Sequence, residues 1–550
     1  MVLGVTGYRH AQGFTRLCET PRETQESLLR RILEINASTK YGQDHGFGSI
    51  RTIEDYQRQV PVNQYDDLEP YILAASRGEP AQLTTDPPIL FATTSGTTGK
   101  PKYIPVTKTS RRDKSTVTRL WLYHASTDYP HLFDGNILGV VSPEVEGVTD
   151  GGIPYGAESG HVYRNMPRLM RNVYAVPYEV YALENYDSKY YAMLRIAVDK
   201  NLTVIATANP STILLLTRKM VEYQEQIIRD IRDGTLDGSR EYPPEIREQL
   251  ERELEPDPQR ARYLDDCMGK SGRLIPQDVW PNLAMIGTWK GGSVGLYLRE
   301  FEGLFNPETP IRDWGYLASE LRGSVPISDE GCGGVLTIET NFFEFVADDD
   351  SESANPTFLT TDQLEDEKEY FVYPTTTGGL YRYDMNDLVR VNGFYKNTPI
   401  VEFIQKGKGV SSLTGEKLYE AQVCTAVSRS HDILGNRYEF VVATPEWDDP
   451  PRYVLLMEET CEPIDENVWR EWLASMDEQM RDLNEEYHSK RKSMRLDTPQ
   501  VKVVKRGEFL RYRQRRVAEG APDGQFKMLK LNPDLEFQKQ FEIERTVTLE

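Results

Sequence analysis

At 550 residues the chain is too long for one ordinary core, and roughly 100–200 residues per domain predicts two to four units. Its 39% hydrophobic and 27% charged residues describe a globular chain and exclude a fibrous or disordered one. A formal net charge of -22 repels a phosphate backbone at long range, which argues against nucleic acid as a partner while leaving room for one locally held nucleotide.

Five scattered cysteines (Cys18, Cys267, Cys332, Cys424, Cys461) form no C-x-x-C pair, so neither a disulfide framework nor a zinc site is signalled. The opening residues lack a basic stretch followed by an apolar one. Apolar runs such as Ile213–Leu216 fall far short of the ~20 residues that cross a bilayer. The expectation is a cytoplasmic, reduced monomer with no membrane or nucleic-acid partner.

In chain order, residues 23–36 place apolar side chains at helical spacing, and 52–59 read as a second helix ended by Val60-Pro61-Val62. Residues 87–92 form a short strand that runs into Thr93-Thr94-Ser95-Gly96-Thr97-Thr98-Gly99-Lys100-Pro101-Lys102. Glycines there let successive N–H groups face one concavity, hydroxyls add donors and lysines add charge, which makes a phosphate cradle. It is not a Walker A loop, because only Thr97 and Thr98 separate Gly96 from Gly99 and Pro101 follows Lys100. By composition alone a flexible surface loop reads equally well.

Further on, 201–208 has the β-branched character of a buried strand, and Asn209-Pro210-Ser211 caps an amphipathic stretch at 212–232. Residues 244–254 read as a charged helix, 336–346, 370–374 and 388–394 as strands, and Gly378-Gly379 as a turn. Residues 405–415, rich in Gly, Lys and Ser, suit a hinge between domains 1–415 and 416–550. The C-terminal part then alternates helix (419–429), strands (438–444, 453–457), helix (465–484) and strand (500–504), an α+β unit.

Residues 94–102 resemble the first signature of the adenylate-forming superfamily, and the remaining landmarks resemble one branch of it, the auxin-responsive acyl acid–amido synthetases. Val60–Ile72 is similar to that family's lead-in to the loop. Tyr316-Leu317-Ala318-Ser319-Glu320 resembles its second signature, with Phe343-Glu344-Phe345 following. Gly379-Leu380-Tyr381-Arg382-Tyr383 with Asp387 resembles the third, and Gly524-Gln525-Phe526-Lys527 the terminal Gln-aromatic-Lys segment. Ala318 stands where a serine is common, Asn386 where a glycine is usual, and Met528-Leu529-Lys530 where a proline-containing exit is usual. The chain looks more like the microbial members.

The resemblance implies an α/β fold: a large N-terminal adenylating domain of β-sheets flanked by helices, and a small mobile C-terminal α+β domain. It implies an ATP-dependent ligase that makes an acyl-adenylate and passes the acyl group to an amine such as an amino acid, with Mg²⁺ as metal. Thr94, Ser95, Gly96, Thr97, Thr98 and Gly99 would cradle phosphates, while Lys100 or Lys102 adds charge; Ser319 and Lys417 count among the other cofactor-binding residues. Glu320 would hold Mg²⁺, Asp387 would take the ribose hydroxyls with Arg382 close by, and Tyr316 and Phe343 would stack on adenine. Lys527 would be the mobile catalytic lysine. The acyl pocket falls to Thr288, Trp289 and Tyr297, with Arg164 set to pair with a second carboxylate.

Each role has a plainer counterpart. Glu320 reads also as a helix-start carboxylate, Asp387 as a turn aspartate, the two aromatics as core, and Lys527 as surface charge. Arg511, Arg513, Arg515 and Arg516 read as a solvated helix face. Rival functions are a thioester-forming ligase and a catalytically silent nucleotide- or acyl-binding protein.

Overall fold

The computed structural model describes residues 2–549 apart from 95–101, 142–144, 167, 209, 352, 354, 408, 412, 414, 415, 417, 449, 461, 462, 493–495 and 519–527. The chain forms two compact units, the first running through residue 403, the second from residue 404 together with residues 386–388. Among the described residues no helix is long and apolar enough to cross a membrane.

The first unit begins with helices whose ends follow from local chemistry. Pro21–Asn36 starts on a proline, which needs no intrahelical donor there, and buries Leu28, Leu29, Ile32 and Leu33 along one stripe. Ile53–Gln59 is closed by a capping box between Thr52 and Asp55. Lys108–Asp128, a helix of 21 residues, escapes the sequence reading because its first half is basic and hydroxylated, with no apolar stripe to see. Thr107 caps it, and the helix is anchored by Val117, Leu120, Trp121 and Ala125. The stretch 212–232 is two helices, Pro210–Glu222 and Gln224–Asp233, broken at Tyr223.

The strands of this region are β1 (Pro88–Thr94), β2 (Lys102–Thr107), β3 (Asn136–Gly139), β4 (Gly147–Val148), β5 (Pro154–Gly156), β6 (Leu202–Ala206), β7 (Met285–Gly287) and β8 (Ile311–Arg312). They sort into two sheets, ordered β2-β1-β5-β4 and β3-β6-β7-β8, the second parallel throughout. A third sheet uses β9 (Ser324–Val325), β10 (Gly334–Leu336), β11 (Asn341–Ala347), β12 (Leu359–Thr360), β13 (Glu369–Thr376), β14 (Asp387–Tyr395) and β15 (Thr398–Lys406). Its order is β12-β11-β13-β14-β15-β10-β9. The stretch read as one strand at 336–346 is therefore split between β10 and β11.

Arg382 sits behind this sheet, at φ +43 and 3% exposed. Its Nε donates to Glu344 Oε2 at 2.9 Å, and its Nη1 donates to the carbonyls of Gln57 (2.9 Å) and Val60 (2.8 Å). Burial pushes the Glu344 carboxyl up and the neighbouring guanidinium pulls it back. The pair ties the segment after Ile53–Gln59 to the turn leaving β13, so that Asn63 N donates to Arg382 O at 3.0 Å. Nε and Nη1 of Arg382, the arginine expected close to the nucleotide, are thus engaged within the protein interior.

In the second unit β16 (Val410–Ser411) pairs with β17 (Leu418–Tyr419). A four-stranded sheet runs β18 (Tyr438–Glu446), β19 (Arg452–Glu459), β20 (Gln500–Val504) and β21 (Ile543–Val547) in that order. Alternate residues serve two cores: Leu455 and Met457 join Trp469 and Trp472 of the helix Glu466–Leu483, while Val454 and Leu456 join Phe509, Phe537 and Phe541. Covered on both faces, these strands read as continuous apolar runs.

Removing one member of a buried ion pair leaves the other charge stranded. Arg382→Met should lower unfolding stability by about 3–5 kcal/mol in urea titrations at neutral pH, with a smaller loss at acid pH where Glu344 takes up a proton.

Candidate functional site

After β8 the chain passes Asp313 and enters a tight hairpin. Leu317 bridges Arg322, Ala318 N donates to Leu321 O at 2.8 Å, and Gly323 N donates to Tyr316 O at 2.7 Å. A Cβ on Gly323 would lie 2.4 Å from the Tyr316 ring, so glycine is required there. The tip carries Ser319 and Glu320, and the Ser-Glu-Leu segment is thus a hairpin tip, not a helix start.

Lys114, on the helix Lys108–Asp128, holds that tip. Its ammonium donates to Ser319 O at 2.6 Å and to Glu158 Oε2 at 2.7 Å, with both side chains mostly buried. Glu320 and Arg322 line a narrow cleft with Ser110, Asp113 and Lys114. The opposite wall is Thr340 and Asn341, entering β11, and Thr376 and Thr377 at the end of β13. Most of these polar groups are already engaged. Thr377 Oγ1 donates to Asp113 at 2.7 Å, Thr340 Oγ1 to Thr337 O, and Asn341 Nδ2 to Arg322 O, while Ser110 Oγ accepts from Thr107 N. Among the described residues, neither the Glu320 carboxylate nor the Arg322 guanidinium has a hydrogen bond or ion pair. Burial depresses the Arg322 pKa, partly offset by Glu158.

A second set of residues gathers at the carboxyl ends of β6, β7 and β8, where open α/β sheets take their ligands. Thr288 N donates to Arg312 O at 3.1 Å and Trp289 N to Ala208 O at 2.9 Å. Thr288 is fully buried, with its hydroxyl toward Ala208 O at 3.3 Å. Trp121 and Trp314 stack nearby with ring centroids 4.2 Å apart, both against Gly287. The buried indole N–H of Trp314 has no acceptor among the described residues. Tyr297 lies half-buried on the 3₁₀ helix Gly292–Phe301, and Arg164 is exposed at the end of the helix Glu158–Arg164 with its guanidinium 5.8 Å from the Tyr178 ring.

The other expected residues fall in several places. Thr94 ends β1 opposite Lys102, whose ammonium lies 5.1 Å from the Tyr65 ring. Ser95, Gly96, Thr97, Thr98, Gly99, Lys100, Lys417 and Lys527 lie outside the described residues. Tyr316 is 5% exposed and its ring stacks on Phe403. Phe343 is fully buried against Phe345, so it offers no face to an adenine and belongs to the core. Asp387 opens β14, 2% exposed, after Asn386 at φ +48, the left-handed turn that asparagine tolerates. Lys114 and Arg322 were missed in the sequence. Nothing local marks Lys114, whereas Arg322 stands two residues beyond Glu320 and pairs with Leu317 across the hairpin.

Three family models match the chain: the GH3 family N-terminal domain over residues 10–311, the GH3 family central domain over 334–406 and the GH3 family C-terminal domain over 421–535. Jasmonoyl–L-amino acid synthetase JAR6 of Nicotiana attenuata is 28% identical over 542 residues, covering 94% of this chain and 91% of its own. Indole-3-acetic acid-amido synthetase GH3.10 of Arabidopsis thaliana is 27% identical, covering 94% and 93%. Among solved structures, GH3.15 acyl acid amido synthetase superposes with a TM-score of 0.85 at 20% identity, covering 98% of this chain and 96% of its own. That likeness speaks to the fold.

Asp313, beside both groups of residues, accepts from the backbone N–H of Lys290 and of Gly315, yet burial pushes its carboxyl up to about 6. A raised acid binds its proton more tightly when folded, so its stabilisation is complete below about pH 4 and is lost as pH rises through 6. Asp313→Asn should flatten the fall in melting temperature between pH 4 and pH 7, leaving the part due to Asp329, which burial also lifts to about 6. Thermal unfolding across that range measures the slope.

Proposed function

Because the chain belongs to the GH3 family, we propose that it activates a carboxylic acid as an acyl-adenylate with ATP and joins the acyl group to an amino acid through an amide bond. The observation that carries the reading is Glu320, an unengaged carboxylate held at a hairpin tip inside an all-polar cleft, in a chain matched by all three GH3 domain models.

The donor set fits a magnesium nucleotide. Mg²⁺ takes one or two carboxylates plus phosphate oxygens and keeps several waters. Among the described residues no cluster of three or more His, Cys, Asp or Glu builds an all-protein cage, so one carboxylate shared with phosphate is the arrangement that remains. Glu320 supplies that carboxylate, and ATP supplies the phosphorus that the substrate acid attacks. Lys114 fixes the backbone carrying Glu320, which keeps the carboxylate from relaxing toward solvent. Asp387 is assigned to the ribose hydroxyls. Residues 95–99, Lys417 and Lys527 keep the roles that the family resemblance implies: phosphate cradle, nucleotide contact and mobile catalytic lysine.

Thr288, Trp289 and the Trp121–Trp314 pair are assigned to the acyl acid, with the free indole N–H of Trp314 as a donor for a substrate oxygen. A buried donor without an acceptor costs about 1–3 kcal/mol, which a bound oxygen recovers. Relatives are named for jasmonoyl and indole-3-acetic acid conjugation, and a carboxylic acid with an apolar body suits these aromatic side chains. The second unit is assigned the moving part. Glu416 Oε1 accepts from Leu413 N at 2.7 Å and from the Tyr453 hydroxyl at 2.8 Å, so residue 416 travels with that unit.

Acid-dependent exchange of labelled pyrophosphate into ATP tests the first half-reaction, and no exchange across a broad panel of acids overturns the proposal. Product analysis by mass spectrometry with amino acids or coenzyme A tests the second: an amide supports it and a thioester alone rejects it. Glu320→Gln should cut exchange by about 100-fold or more. Lys114→Met should raise the Mg²⁺ concentration for half-maximal exchange by about tenfold or more, with partial recovery in Lys114→Arg.

A further inference from the structure

Arg322 and Glu320 line the same narrow cleft, yet no ion pair or hydrogen bond joins them. A guanidinium and a carboxylate in one cleft can pair, each then recovering part of its lost hydration. Lys114, the other cation on that wall, is already committed to Ser319 O and Glu158. Among the described residues the Arg322 guanidinium therefore has no hydrogen-bond or ion-pair partner, and burial depresses its pKa with only a partial offset from Glu158.

The cleft also restricts what can satisfy it. Each residue that lines it carries a polar group, four hydroxyl-bearing residues and one amide beside the charged ones. An adenine or the apolar body of an acyl acid finds no partner there. A ligand that carries Mg²⁺ toward Glu320 and anionic oxygens toward Arg322 satisfies both at once. We propose that Arg322 grips the pyrophosphate end of ATP, the β- and γ-phosphates, which bear no apolar attachment. This rests on the adenylation reading and goes beyond it in naming the residue that holds the leaving group. In that step the substrate carboxylate oxygen bonds to the α-phosphorus, the bond from that phosphorus to the β-bridging oxygen breaks, and the electron pair leaves on pyrophosphate. A planar guanidinium binds two such oxygens side by side as the charge accumulates.

The test is equilibrium binding, free of turnover. With Mg²⁺ present, calorimetry would compare a non-hydrolysable ATP analogue, pyrophosphate and AMP on wild type, Arg322→Gln and Arg322→Lys. In Arg322→Gln the analogue and pyrophosphate should weaken at least about tenfold, the loss that follows removal of a charge-assisted hydrogen bond. AMP should stay within about twofold, and Arg322→Lys should lie between. Unchanged pyrophosphate binding, or AMP weakened as much as the analogue, overturns the assignment of Arg322. Wild type that binds neither the analogue nor pyrophosphate overturns the adenylation reading itself. Should Arg322→Gln not fold, Arg322→Lys carries the same three-ligand comparison.

Discussion

A single ammonium organises the cleft. Lys114 reaches from the helix Lys108–Asp128 to the carbonyl of Ser319, one residue before Glu320, while Glu158 neutralises it from a third element. A two-strand hairpin as short as 317–322 has little stability of its own. Its tip keeps one geometry because a partly buried charge would lose its partners if the carbonyl moved away, and because Gly323 lets the Tyr316 ring close over the return strand. The placement of the Glu320 carboxylate is thus decided by a contact made across 205 residues of sequence.

The two arginines near the family signatures differ in how their charge is met. Arg382 lies in the interior with all its work done inside the protein: a carboxylate at one edge, two carbonyls at the other and the Phe358 ring against its face. It secures the junction of two distant segments. Arg322, flanked by groups that are already paired, has no hydrogen-bond or ion-pair partner among the described residues. The desolvation of a guanidinium is the same kind of penalty at both positions, and only at Arg382 does the fold itself offset it.

The first unit also keeps polar and apolar recognition apart. The hairpin cleft is lined by residues that all carry polar groups, whereas Trp289 and Trp314 follow β7 and β8 and Trp121 stacks on Trp314. Asp313 and the few residues after it connect the two, so chemically different surfaces lie along one short stretch of chain.

Much of the fold was legible in the sequence because local rules decide it. Proline and capping residues mark the starts of Pro21–Asn36 and Ile53–Gln59, and β18–β20 are dense in Val, Leu and Met because both their faces are covered. The signature containing Glu320 was likewise visible as a short pattern. What the sequence could not disclose depends on which distant side chain completes a charge. Arg382 and Arg322 are the same residue type, each beside a family signature, and their difference lies in Glu344, 38 residues from one, and in the absence of any such partner for the other among the described residues. Phe343 and Tyr316 looked equally suited to adenine or core until packing buried them. Lys114 sits in a helix with no readable stripe, and its importance appears only where the carbonyl of Ser319 is brought to it, since hydrogen-bond partners follow from position in space and not from order along the chain.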